Sequence, residues 1–117
     1  MIIAGGAVRI YVATKPVDFR KGMDGLALLV EQSLGLDPHN GAIYVFRSKR
    51  SDRLKLLLWD GTGMVMGYKR LEGGKFAWPA MRDGVIRLSR AQFEALVEGL
   101  DWRRVWARKA KTPVCAG

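Results

Sequence analysis

Apolar residues recur with two different periods, and each switch between them marks a change of element. From Val8 to Ala13 (VRIYVA), Val8, Ile10 and Val12 alternate with Arg9 and Tyr11, as in a half-buried strand. Thr14-Lys15-Pro16 ends it, because proline has no N–H for the ladder and restricts the residue before it. Phe19, Met23, Leu26, Val30 and Leu34 then fall three or four apart, the stripe of a helix over residues 19–34. Asp18 is placed as its N-cap and Gly35 as the left-handed residue past its end. Gly22 and Gly25 interrupt the stripe, each at a cost of about 1 kcal/mol relative to alanine. Either they let another backbone approach, or the first turn is irregular and the regular helix begins near Met23.

Asp37 to Gly41 (DPHNG) has the composition of a turn. Ala42–Arg47 reads as a second strand and Leu54–Trp59 as a third, whose LLLW run predicts burial on both faces. Asp60-Gly61-Thr62-Gly63 suits a hairpin, and Met64–Arg70 is the fourth strand. A turn at Glu72–Lys75 leads to a short strand through Phe76 and Trp78, and Asp83-Gly84 leads to a strand at Val85–Leu88. Ser89 and Gln92 form a capping box ahead of Phe93, Leu96, Val97 and Leu100, a second helical stripe. The class is α+β: an antiparallel β-meander of about five to six strands, with two helices packed on one face or end. The length of 117 residues suits one domain, residues 1–104. The basic stretch 105–117 reads as a tail without fixed structure.

Composition changes this picture only through the sign of its charge. Twenty Lys and Arg face 11 Asp and Glu, a formal net charge of +9. Arg47, Lys49, Arg50, Arg53 and Lys55 crowd into nine residues with Asp52 as the only acid among them. Such a cluster carries a repulsion that a polyanion relieves. Arg20 and Lys21 stand in the first turn of the expected helix, where cations oppose the helix dipole. Either a phosphate binds there, or the pair forms an ion pair with Asp18 or Asp24. Lys69 and Arg70 extend the basic surface from the end of a strand. Trp59, Trp78 and Tyr44 are placed either to stack on bases or to pack within the sheet.

Few residues suit catalysis. His39, the one histidine, sits in a turn, and the one thiol, Cys115, lies near the end of the chain. One cysteine makes no internal disulfide and no multi-cysteine metal site. No phosphate-binding GxxxxGK[ST] occurs, and most of the aspartates occupy caps and turns. The residues therefore imply no catalytic constellation, no metal and no cofactor. There is no secretory leader pattern and no apolar run of the roughly 20 residues that span a bilayer, so a cytoplasmic protein without membrane contact is expected.

The runs VDFRKGMDGLALLV, VFRSKRSDRLKLLLWDGTGM, YKRLEGGKFAWP and GLDWR resemble the TnpB-type accessory protein, the second open reading frame, of the sixty-six group of bacterial insertion sequences. The resemblance covers residues 7–104, in order and at the usual spacing. It implies an auxiliary role in transposition beside a separate, larger transposase subunit, and it carries no catalytic residues with it. Two readings follow. In the first, Arg20, Lys21, Arg47, Lys49, Arg50, Arg53, Lys55, Lys69 and Arg70 form a phosphate-contacting surface for DNA. In the second, the chain is a protein–protein adaptor that docks on the transposase without touching DNA.

Overall fold

The computed structural model describes residues 8–105. Cys115 and the basic tail beyond Val105 lie outside the described residues. Strands form where alternation or apolar runs are strongest: β1 (Ile10–Ala13), β2 (Ile43–Arg47), β3 (Arg53–Trp59), β4 (Met64–Arg70) and β5 (Val85–Leu88). Two helices, α1 (Met23–Gln32) and α2 (Arg90–Val97), and a short 3-10 turn at Trp102–Arg104 complete the chain. The strands make one five-stranded sheet in the order β4-β3-β2-β1-β5.

The α+β class and the largely antiparallel sheet agree with the sequence. β2 pairs antiparallel with β3, β3 with β4, and β1 with β5. β1 and β2 run parallel, with Ile10 opposite Ile43 and Val12 opposite Val45. A parallel pair needs a crossover, and α1 provides it. The segment Phe76–Trp78 is not a strand. After β4 the chain leaves one edge of the sheet and crosses to the other, where β5 lies beside β1. Phe76 is buried on the way, with its N–H donated to the Ser51 carbonyl at 2.8 Å.

The two helices do not share a face. Side chains alternate across a strand, so β1, β2 and β3 each feed two cores. Ile10, Val12, Ile43, Val45, Leu54 and Leu58 pack with Leu96 of α2, and with Phe76 from the crossing segment. Ala13, Ala42, Tyr44, Phe46 and Leu57 pack with Leu26 and Val30 of α1. Three central strands that are apolar on both sides need a cover on both sides, and one helix goes to each.

The helix ends refine the expected boundaries. α1 starts at Met23, with Gly22 as an extended N-cap that makes no side-chain capping bond. The shorter of the two expected helices is therefore the one that forms. Asp18 is not its cap. Ser89 does cap α2: its hydroxyl accepts from the Gln92 N–H at 3.1 Å, and Gln92 Oε1 accepts from the Ser89 N–H at 2.9 Å. α2 stops at Val97 because Gly99 turns left-handed (φ +81), and this leaves Leu100 exposed rather than in the core. Trp102 then folds back, and its indole N–H donates to the Ala77 carbonyl.

Replacing Ser89 with alanine removes one half of the capping box and should lower the unfolding free energy by about 1 kcal/mol. Urea denaturation followed by circular dichroism measures this. A midpoint unchanged from wild type would mean that the box contributes nothing to α2.

Candidate nucleic-acid interface

The alternation that builds two cores also sorts the basic residues. On β2 and β4, Arg47 and Lys69 fall in phase with Val45 and Val65 and so point toward α2. On β3, Arg53 and Lys55 fall in phase with Leu57 and point toward α1. Lys49 and Arg50 sit in the β2–β3 connection, and Arg20 and Lys21 in the segment before α1.

Three of the nine predicted contact residues are committed to the fold. Lys55 is only 4% exposed. Its ammonium donates to the carbonyls of Phe19 at 2.7 Å and Lys21 at 2.8 Å, and lies 5.0 Å from the Phe19 ring and 5.4 Å from the Tyr68 ring. A buried charge survives where oxygens and aromatic faces replace water. Lys69 donates to the Val97 carbonyl at 2.7 Å, at the C-terminus of α2, where a cation meets the negative end of the helix dipole. Arg47 lies over Trp78 at 5.6 Å and donates to Ser51 Oγ at 2.7 Å. Burial draws its guanidinium below the ordinary pKa. Lys55 is thus corrected from a surface contact to an internal tie, and Lys69 and Arg47 to packing and capping roles. Alternation along a strand fixes which face of the sheet a side chain points to, whatever its charge.

The other six remain at the surface. Arg20 is clamped to Asp18, with its Nε at 3.0 Å and its Nη2 at 2.7 Å from the two carboxylate oxygens. Asp18 also accepts from the Arg20 backbone N–H at 2.9 Å. These bonds to Arg20 hold the Asp18 carboxyl well below the usual range, and Asp18 in turn raises the Arg20 guanidinium. The ion-pair reading of Arg20 is the one realised. Gly25 makes room for the stem of Lys21, whose Cβ would stand 3.2 Å from an added methyl; the three atoms nearest to that position all belong to the Lys21 side chain. Arg53 and Arg70 face each other across β3 and β4. Like charges in that position repel, and each has a nearby acid: Asp52 at 3.8 Å from Arg53, Glu72 at 3.2 Å from Arg70. Lys49 and Arg50 are exposed, and neither makes an ion pair among the described residues.

A cleft of about 490 Å³ gathers four of these cations. Residues 16–20 form one wall and the β2–β3 connection the other, so that Arg20, Lys49, Arg50 and Arg53 line it together with Pro16, Val17, Asp18, Phe19 and Ser48. Three bonds hold the first wall: Val17 N–H donates to the Arg47 carbonyl at 3.0 Å, and the Lys55 ammonium donates to the carbonyls of Phe19 and Lys21 from below. The second wall is a tight turn with Ser51 in the left-handed region (φ 69), a conformation costing about 1–2 kcal/mol in a residue with a side chain. Ser51 is pinned from several sides. Its carbonyl accepts from Phe76 N–H and from the Trp78 indole at 3.2 Å, and its hydroxyl from Arg47. A conformation so over-determined presents Lys49 and Arg50 on a rigid mount.

Of the two alternatives for the aromatic candidates, packing is the one the structure realises. Tyr44 is buried, with its hydroxyl on the Asp37 carbonyl at 2.9 Å, and Trp59 packs edge-on against His39. Trp78 backs Arg47. The aromatic residues beside the cleft are Phe19 and Tyr68, which sequence reasoning placed only as a helical apolar position and a strand residue. The available signal was the VDFRKG run, where Phe19 directly precedes two cations. Among the described residues, no group of three His, Cys, Asp or Glu gathers to hold a metal, and no helix is long and apolar enough to cross a membrane.

The model of the family described as IS66 Orf2 like protein matches residues 8–107. Two curated relatives come from Sinorhizobium fredii (strain NBRC 101917 / NGR234). "Uncharacterized protein y4jC" is 50% identical over 113 residues, covering 97% of each chain. "Uncharacterized protein y4hO" is 41% identical over 103 residues, covering 88% of this chain and 90% of its own. No solved structure matches.

Exchanging Lys55 for methionine keeps the stem and removes the ammonium. Two carbonyls then lose a charged donor, and stability should fall by about 2 kcal/mol. An exposed phosphate contact would change it by less than about 0.5 kcal/mol. Equilibrium denaturation distinguishes the two.

Proposed function

The chain belongs to the IS66 Orf2-like family and has a transposition-associated accessory role, and from that premise we propose that it acts without chemistry of its own, by binding DNA through its basic cleft. The observation that carries this reading is the cleft's charge: Arg20 is spent on Asp18, the one carboxylate in the lining, and Lys49, Arg50 and Arg53 leave an excess of three cations. Lys49 and Arg50 have no acidic partner among the described residues and stand on a rigid turn. Arg70 and Lys21 extend the same side of the molecule. Contacts of this kind position a protein on the phosphate backbone and carry little sequence information.

The adaptor reading has one observation in its favour. Among the described residues β4 pairs only with β3, so one edge of the sheet is open over the length of Met64–Arg70. An extended segment of a transposase could add a strand there.

Salt separates the readings. Binding to a duplex through about four phosphates should give a slope near −4 in a plot of log affinity against log salt, from about −0.9 per contact. Changing Lys49 and Arg50 together to alanine should reduce the slope by up to about two units and weaken all sequences alike. Fluorescence anisotropy across a salt series reads this directly. A double variant that keeps full DNA affinity but no longer binds the transposase would make the chain an adaptor.

A further inference from the structure

The cleft has more than phosphate chemistry in its walls. Pro16, Val17 and Phe19 line it beside the four cations. Next to it stands Tyr68, 52% exposed on β4. The Tyr68 ring is fixed from within: Phe19 meets it edge-on at a centroid distance of 5.8 Å and 77°, and the buried Lys55 ammonium lies 5.4 Å from its centre. Arg53 joins the ring to the cleft, since its Nη1 donates to the Tyr68 hydroxyl at 3.3 Å and the residue also lines the cavity. An aromatic side chain held in place by three residues, yet half open to water, is not there to fill the core.

An intact duplex makes poor use of this arrangement. Its outer surface offers phosphates and sugars, and its bases are stacked on one another inside. Cations alone would serve it, and an apolar wall and an aromatic face would stay unmatched. An unpaired strand offers both chemistries at once: phosphates along the backbone, and base faces that stack on aromatic rings irrespective of sequence. The cavity volume of about 490 Å³ lies within the range of roughly 300–1,000 Å³ in which small organic groups are enclosed.

We infer that the cleft takes unpaired DNA in preference to duplex, with a base on Tyr68 and the adjoining phosphates on Arg53, Lys49 and Arg50. This rests on the DNA-binding reading of the cleft and assigns the form of DNA it holds. Single strands are exposed wherever a transposon end is opened, so an accessory protein of this kind would act after the duplex has been parted.

The test compares a labelled oligothymidylate with a blunt duplex of the same length, by anisotropy at one salt concentration, for wild type, Tyr68→Leu and Tyr68→Phe. Wild type should bind the single strand on the order of tenfold more tightly than the duplex. Tyr68→Leu should lose roughly tenfold for the single strand, the contribution of one base–aromatic stack, and leave the duplex unchanged. Tyr68→Phe keeps the ring and should keep single-strand affinity within about twofold. Circular dichroism of both variants confirms the fold. Duplex bound as tightly as single strand, or Tyr68→Leu without effect on the single strand, overturns this inference and leaves the DNA-binding reading standing. No binding of either DNA overturns both.

Discussion

Three adjacent strands in this chain are apolar on both faces, and most of the architecture follows from the need to cover them. β2 is buried from Ile43 to Phe46, and β1 and β3 bury residues toward both sides. A sheet with one wet face can stack its helices together on the other. A sheet with two dry faces cannot, and so α1 and α2 part company. The same requirement explains the long passage from β4 to β5. It carries Phe76 and Trp78 across the α2 side, where α2, at eight residues, is too short to cover the sheet alone. The outer edge of β4 is a consequence of this arrangement, since the chain departs for the opposite edge and leaves β4 with one neighbour.

Burial on both faces also governs the charges. A lysine in phase with Leu57 must point into the α1 side, and Lys55 does so. It is tolerated because the segment before α1 bends over it and supplies two carbonyls and an aromatic face. That bend is not a helical turn, which is why Asp18 and Arg20 clamp each other and α1 begins only at Met23. The cleft exists because of this exchange. The inward cation holds down the wall from which Arg20 looks outward. One basic residue thus acts as an internal fastener and makes others available at the surface, and the two functions are indistinguishable in a count of charges.

The left-handed Ser51 belongs to the same economy of structure. A turn between β2 and β3 could have used glycine at no steric cost. Here a side chain is retained in a strained conformation, and its hydroxyl, with its carbonyl, ties the connection to Arg47, Phe76 and Trp78. The tip that bears Lys49 and Arg50 therefore does not rely on its own short span for order.

Local signals along the chain were enough to place the elements that answer to local physics. The capping box at Ser89, the Asp60–Gly63 hairpin, the alternation of β1 and the double burial of β3 all depend on residues within a few positions of one another, and each was legible in the sequence. So was the net positive charge. The distribution of that charge was not. Whether a lysine faces water or two carbonyls depends on register with strands and segments tens of residues away, and periodicity carries no record of that. The Phe76–Trp78 segment shows the same limit, because its apolar alternation suits a strand and only the distance to β5 makes it a crossing. The aromatic pair at the cleft, Phe19 and Tyr68, meets across 49 positions of sequence. The sequence by itself determined the core of the five strands and two helices that form, the cap at Ser89 and the sign of the net charge, but not the cap of α1 or the course of Phe76–Trp78. Tertiary structure alone decided which helix covers which face and which cations remain at the surface, because those follow from burial, and burial is a property of the assembled sheet.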